Sequence, residues 1–259
     1  MNKVMAISGV VIKELYRRKD FYVLFVLTAV ITLVMGSVSF FHDTKIVGYV
    51  KEIALLLIWI SALTIAIATT ARQIPAEREN RTIFPLLAKP VTRAQVIVGK
   101  FAGCWLACGL ALIVFYLFFG VVSGAREHTW PVLNFCQALW LQWVMLGVVI
   151  AFVLLGSVVF AAPSSNATIS FIVVLGILFL GRYLNQVALQ QPEPLRTTVY
   201  GLYFLIPHLE WYDVRDLLIY DQHLVGWVDC GLATLYGAVY MAVFLVGAWL
   251  VFRRKALNV

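Results

Sequence analysis

Charged and sulfur-containing side chains that could do chemistry are concentrated in a few places along the chain. Cys104 and Cys108 are one helical turn apart, a spacing that favours a small packing face over a metal site. Cys136 and Cys230 could form a disulfide in an oxidising compartment. Acids and imidazoles between residues 208 and 223 could bind a metal ion, although acids in a loop are more often only solvated. They are His208, Glu210, Asp213, Asp216, Asp221 and His223.

The stretch 71–100 is rich in charged and turn-forming residues. Its first half is charged, the run Thr82-Ile-Phe-Pro-Leu-Leu offers a short apolar face, and Pro90 ends any helix begun there. Thr92 can then cap a new helix. This order of features suits a short helix that docks on a partner protein, although the spacing alone also allows a solvated connecting loop.

The composition tells us which elements must position these residues. Of 259 residues, 62% are hydrophobic and 13% are charged, which leaves too little polar surface for a soluble domain. The apolar residues form blocks of about twenty, the length at which a helix crosses a membrane. The sequence therefore predicts an all-α integral membrane protein whose domain 21–259 has six transmembrane helices. The spans are at about 21–41, 53–70, 101–122, 138–162, 169–189 and 232–252.

Charge predicts the orientation of this bundle. The side that holds both termini, the loop 71–100 and the turn 163–168 has fourteen of the twenty cations, and the opposite side has nine of the thirteen acids. By the positive-inside rule the basic side is cytoplasmic. This topology explains the net charge of +7 without a nucleic-acid partner. Basic residues beside the spans are expected to contact anionic lipid headgroups.

Two segments outside the spans have apolar faces of their own. Residues 1–20 are predicted to form an amphipathic helix at the cytoplasmic membrane interface, since Val4, Ile7, Val11 and Leu15 recur at helical spacing; a solvated basic arm is the alternative. The outer loop 190–231 holds an apolar run, residues 199–206, that is too short to span. Pro207 and an amphipathic stretch, residues 209–220, follow it. This order predicts a re-entrant segment between spans 5 and 6.

Two motifs resemble a known transporter family. Glu77-x-Glu79-x-x-Thr82, followed by Pro85-Leu-Leu-Ala-Lys-Pro90-Val-Thr-Arg93 and Gly99-Lys100, resembles the signature of type-2 ABC exporter permeases, with Arg81 where that pattern usually has Gly. Tyr203-Phe-Leu-Ile-Pro207-His-Leu-Glu-Trp-Tyr-Asp213 resembles a segment of the permease subgroup named for copper-enzyme maturation, with His208 in place of Asn. Together with the six-span layout, the resemblance covers essentially the whole chain.

The resemblance implies a permease subunit in a bacterial cytoplasmic membrane, paired with a second copy or a sister permease and with cytoplasmic ABC ATPase subunits. ATP and Mg would bind the ATPase, and no cofactor is expected on this chain. The loop after span 2 would be the coupling helix, with ATPase contacts from Glu77, Glu79, Arg81, Thr82, Leu86, Leu87, Pro90 and Arg93. The outer loop would close the pathway, with Tyr203, Pro207, Trp211 and Tyr212 as gate residues; an ordinary aromatic belt is the alternative.

Polar residues inside the predicted spans are sparse, which suits a lipidic or otherwise apolar cargo. Most are expected to bond neighbouring helices; they are Thr28, Thr32, Ser61, Thr64, Gln142, Ser157 and Ser170. Arg182 lies about thirteen residues into its block and so near the outer boundary.

Two rival classes fit the sequence less well. A secondary carrier or channel would need broken helices and polar residues at the midplane. An intramembrane enzyme would need a motif such as G-x-S-x-G or H-E-x-x-H, and the sequence has neither. It also has no G-x-x-x-x-G-K-[ST] loop. We therefore expect a transport subunit without its own ATPase site.

Overall fold

The computed structural model describes residues 3–17, 22–23, 25–26, 28–30, 33, 44–80, 91–127, 131–190, 192–193, 195–219 and 224–254. These residues are almost entirely helical, with no strand among them, which confirms the predicted all-α class. The helices are α1 (Lys3–Tyr16), α2 (Thr44–Ala71), α3 (Pro75–Glu79), α4 (Arg93–Glu127), α5 (Val132–Val159), α6 (Pro163–Gln190), α7 (Leu195–Leu205), α8 (Asp216–Ile219) and α9 (Trp227–Arg254), with a 3₁₀ turn at Leu209–Tyr212.

Four of these helices, α2, α4, α5 and α9, are long and apolar enough to cross a membrane. They contain the predicted second, third, fourth and sixth spans, except that α5 ends at Val159. Phe160 is extended there, and Pro163 begins α6 at the position where a missing N–H costs nothing. Helix α6 covers the predicted fifth span, but its described apolar part, Pro163–Phe179, is shorter than a span. The predicted first span lies largely outside the described residues, so the count of six stays a prediction.

Helix α5 is the central helix of the bundle. Its buried residues surround the whole helix through its middle turns, from Leu141 to Val158. Helix α9 packs on α5 along one face and leaves the other exposed, with Leu232, Leu235 and Val239 among its exposed side chains. Such a face suits lipid, because acyl chains solvate apolar side chains as well as protein does.

The side chains of α4 and α5 meet in a reciprocal pair of tryptophans. The indole of Trp105 donates to the carbonyl of Trp143 at 3.0 Å, and the indole of Trp143 donates to the carbonyl of Trp105 at 3.0 Å. The rings stack with centroids 4.6 Å apart. Each ring also lies on a glycine of the facing helix, Trp143 on Gly109 and Trp105 on Gly147. The two glycines therefore make room for both hydrogen bonds.

Helix α1 packs against the first turns of α4. Val11 and Leu15 are buried, as the periodicity predicts. The Ser8 hydroxyl donates to the carbonyl of Gly99 at 2.9 Å, and a Cβ at Gly103 would lie only 2.7 Å from Cβ of Val11. The apolar face of α1 thus covers a stripe of small residues on α4. Its position at the membrane interface stays a prediction.

A polar residue of the predicted first span contacts a polar residue of α2. Thr28 Oγ1 and Ser61 Oγ are 3.0 Å apart, which confirms for this pair that in-span hydroxyls bond neighbouring helices. Gln142 does the same on α5, because its Oε1 accepts from the Tyr116 hydroxyl at 2.7 Å. By contrast, Thr64 and Ser157 bond carbonyls of their own helices.

The predicted amphipathic stretch 209–220 is described from Leu209 to Ile219. It forms the 3₁₀ turn and the short α8, with an interruption at residues 213–215. Arg215 donates from Nε and Nη2 to the two carboxylate oxygens of Asp213, at 2.7 and 2.9 Å. Residues two apart point away from each other on a helix, so this bidentate pair is compatible only with the break. The predicted re-entrant position is not tested by these contacts.

We expect Gly109→Ala to destabilise the bundle by about 1–3 kcal/mol, as overpacking does. A Cβ there would lie 2.5 Å from Trp143 Nε1 and would displace the indole from its carbonyl. Gly176→Ala is the matched control, because no atom lies within 4 Å of its added methyl group. Thermal unfolding of the detergent-solubilised protein measures both, and equal melting temperatures for the two variants would contradict the packing role.

Candidate functional site

The helix ends meet in two groups, one at each end of the bundle. The C-terminal ends of α2, α5 and α9 lie with the N-terminal ends of α4 and α6, as the contacts described below show. This end carries the described cations Arg72, Arg78, Arg93, Lys100, Arg253 and Arg254, and we call it the basic end. The outer loop 190–231 meets the opposite ends of α2, α5 and α9, and we call that the acidic end. The predicted grouping of segments into two sides agrees with this arrangement.

A buried ammonium group lies at the centre of the basic end. Lys100 is 2% exposed. Its Nζ donates to the carbonyl of Gln73 at 2.8 Å and to Glu77 Oε1 at 2.7 Å. Gln73 Oε1 lies 3.3 Å from the same nitrogen. A charge removed from water is tolerated only when it is paired and hydrogen-bonded, so these contacts fasten α3 and the turn before it to α4.

The predicted coupling residues fall into three groups in the structure. Glu77 is on α3 and binds Lys100, whereas Glu79, at the end of α3, is exposed. Arg93 begins α4 and faces α9. The other five predicted contacts, Arg81, Thr82, Leu86, Leu87 and Pro90, lie outside the described residues.

Arg93 connects the start of α4 to the last turn of α9. Its Nη1 donates to the carbonyls of Phe252 at 2.6 Å and Arg253 at 3.0 Å. Its guanidinium also lies over the Phe252 ring, 5.4 Å from the centroid. The terminal carbonyls of a helix lack partners within it and carry partial negative charge. Arg93 therefore satisfies the end of α9 while holding it to α4.

Two further side chains satisfy helix ends in the same way. Asn166 Nδ2 donates to the carbonyls of Ala71 at 3.4 Å and Val153 at 3.2 Å, which joins α6 to α2 and α5. Gly156 gives Asn166 its room, because a Cβ there would clash with the amide oxygen. Arg78 Nη2 lies 3.5 Å from the carbonyl of Val158 near the end of α5.

Thr92 caps α4, as the sequence predicts. The backbone N–H of Gln95 donates to Thr92 Oγ1 at 3.3 Å, and the backbone N–H of Thr92 donates to Gln95 Oε1 at 3.0 Å. This reciprocal arrangement is a capping box. It fixes the residue at which α4 begins. The segment between α3 and α4 is therefore anchored at both of its ends.

The predicted gate residues gather around a buried histidine at the acidic end. His208 is 5% exposed. The rings of Tyr203 and Trp211 lie against it, with centroids 4.2 and 5.0 Å away, and its amide N–H donates to the Tyr236 hydroxyl at 3.2 Å. Pro207, the next gate candidate, is buried beside it. The structure therefore brings these gate candidates together around a residue that the prediction left out of the gate.

Tyr212, the remaining gate candidate, anchors the outer segment to α9. Its hydroxyl donates to the carbonyl of Ala233 at 2.7 Å, and Gly237 leaves space for it. Burial raises the pKa of Tyr212 to about 12. Beside it, the hydrogen bonds that Arg215 donates to the Asp213 carboxylate raise the pKa of Arg215. Both groups therefore keep one charge state through the physiological range.

Other side chains that could do chemistry are paired or buried. His208 Nδ1 lies 3.1 Å from Glu210 Oε1, and no group of three or more His, Cys, Asp or Glu residues able to hold a metal ion occurs in the part of the chain that the structure describes. Asp221 and His223 lie outside that part. Cys104 and Cys108 are buried in the core. Cys136 and Cys230 are free thiols, Cys136 exposed and Cys230 buried.

Comparisons with known proteins agree with this architecture. Residues 27–257 match the family model described as ABC-2 family transporter protein. The chain belongs to the ABC-2 transporter family. It is also 30% identical, over 179 residues, to an uncharacterized membrane protein, YdbK, of Bacillus subtilis strain 168, a match that covers 63% of this chain and 71% of the relative.

Family membership makes the chain a multi-pass membrane protein and the permease component of an ABC transporter. The copper-enzyme-maturation subgroup stays a prediction.

Several important residues carried no strong signal in the sequence. Lys100 ends the Gly99-Lys100 motif, but its partner Glu77 is 23 residues away, and nothing in the spacing pairs them. Asn166 lies in the predicted turn 163–168, and its residue type alone indicates no contact with other helices. Tyr236 and Tyr240 on α9 are four residues apart, a helical spacing that could have marked one aromatic face.

We expect Glu77→Ala to destabilise the protein more than Lys100→Met. The first leaves a buried ammonium without its counter-ion. We expect it to lower the free energy of unfolding by about 2 kcal/mol, because the partial exposure of Glu77 weakens the pair. The second leaves Glu77 without its counter-ion, but the Glu77 side chain is 29% exposed, so its charge is less costly to leave unpaired than that of Lys100. Chemical denaturation in detergent measures both, and the reverse order would contradict this account of the pair.

Proposed function

We propose that this chain is the transmembrane subunit of an ATP-driven exporter in a bacterial cytoplasmic membrane, with both termini cytoplasmic. Its basic end faces the cytoplasm and receives a separate ABC ATPase, which binds ATP and Mg. Two permease copies, or this chain and a sister permease, form the pathway. The cargo is lipidic or otherwise apolar, in keeping with in-span polar groups such as Thr28, Ser61 and Gln142 that bond each other or neighbouring helices.

The observation that carries this proposal is the anchoring of the loop 81–90 on both sides. Before it, α3 is held to α4 by the buried Lys100 pair. After it, α4 begins in a capping box and is held to α9 by Arg93. A force applied to this loop therefore acts on α3, α4 and α9 together. A solvated linker would need none of these buried contacts.

The docking residues can be tested by capture of the ATPase. The tagged permease is co-expressed with a P-loop ATPase encoded beside its gene, and Leu86→Asp with Leu87→Asp is compared with Leu195→Asp. Leu195 is an exposed leucine at the acidic end, so its variant adds a charge on the other side of the membrane. We expect the double variant to lose most of the bound ATPase and the control to keep it. Undiminished capture by the double variant would rule out docking at these leucines.

Transmission through the loop can be tested separately. Cys136 is the exposed cysteine and the other three are buried, so a spin label can be placed selectively at the acidic end. We expect the label's spectrum to change when ATP and vanadate trap the ATPase, and Lys100→Met to weaken that change while the ATPase stays bound. Gly176→Ala serves as the control. A full response in Lys100→Met would show that this anchor does not transmit motion.

A further inference from the structure

A groove of about 660 Å³ lies at the acidic end, between α9, Leu141 and the outer segment. The α9 residues that line it run from Asp229 to Tyr240, and Trp211 and Val214 contribute from the outer segment. Residues 229 to 240 at 1.5 Å each give the groove a length of about 16 Å along the helix. Such a volume is typical of sites for small molecules.

One wall of the groove is aromatic. Trp211 is 53% exposed, and its ring centroid is 5.2 Å from that of Tyr236. Tyr236 and Tyr240 are 4.9 Å apart. The ring planes are tilted by 42° and 53°, so the rings form a stepped surface. Aromatic faces carry partial negative charge and attract organic cations.

The groove also has one charged residue among its lining residues, the exposed Asp229. It lies on the same face of α9 as Tyr236 and Tyr240, seven and eleven residues away, or about 10 and 16 Å along the axis. Arg215 of the outer segment does not line the groove; it forms a bidentate pair with Asp213 and faces Trp59 of α2. The groove is therefore acidic at one end and apolar along its length.

We propose that this groove binds a lipophilic cation, a positively charged group joined to an apolar body. The charge lies near Asp229, and the body lies along Leu232, Val239 and the aromatic wall. Charge complementarity selects this occupant over an acyl chain or a second copy of the helix, neither of which needs a carboxylate at the end of an apolar groove. Gln137 holds the backbone beside Asp229 in place through two hydrogen bonds with Val225, of 2.8 and 3.0 Å.

The proposal can be tested with two probes of the same shape and opposite charge, tetraphenylphosphonium and tetraphenylborate. The purified chain is placed in nanodiscs of zwitterionic lipid, and binding is measured by equilibrium dialysis against empty nanodiscs. We expect saturable binding of the cation and not of the anion. Asp229→Asn should weaken cation binding by about threefold or more, as loss of one partly exposed charge does. Trp211→Leu should weaken it by about twofold or more through loss of a cation–π contact.

Asp216→Asn is the matched control, because it removes an exposed acid of the same outer region that does not line the groove. Cation affinity that is unchanged in Asp229→Asn, or reduced equally in Asp216→Asn, overturns the proposal. So does equal binding of both probes, which would mean an apolar groove occupied by lipid. The measurement needs no ATPase, so it and the docking experiment fail independently.

Discussion

The constraint on which the structure depends is that the last carbonyls of a membrane helix need donors. Ala71 and Phe252 at two such ends are 0% exposed, so water supplies none, and the helix itself leaves four carbonyls without partners. At the basic end, side chains from neighbouring helices provide them. Arg93 reaches the end of α9, and Asn166 reaches the end of α2. Lys100 binds the carbonyl of Gln73, just beyond α2. Each donor both satisfies a helix end and joins it to another helix.

This constraint gives a physical meaning to the charge distribution that predicts orientation. Helices α2, α5 and α9 all end at the basic end, where their dipoles favour cations. At the acidic end α9 begins, and Asp229 lies in its first turn, where a negative charge is favoured. For these three helices the positive-inside pattern and the helix dipoles agree, whereas α4 and α6 begin at the basic end, where their dipoles favour anions. A cation such as Lys100 is buried inside the basic end because carbonyls and Glu77 surround it.

Features set by local sequence could be predicted, whereas features set by long-range pairing could not. The spans follow from length and hydropathy, and the Thr92 cap follows from residues three positions apart. The Lys100–Glu77 pair and the packing of Trp105 on Trp143 depend on which helices become neighbours, which no short motif encodes. The interruption at residues 213–215 coincides with the Asp213–Arg215 pair, which the amphipathic pattern of the stretch does not indicate.

Helix α9 connects the two ends of the molecule more directly than any other described element. Its last turn accepts hydrogen bonds from Arg93, at the start of α4. Its first turns accept the Tyr212 hydroxyl and line the aromatic groove. It packs on α5 along one face and leaves the other exposed. A displacement at the basic end would therefore move Ala233 and Tyr236 against the outer segment, which links the anchor of the loop to the residues around His208.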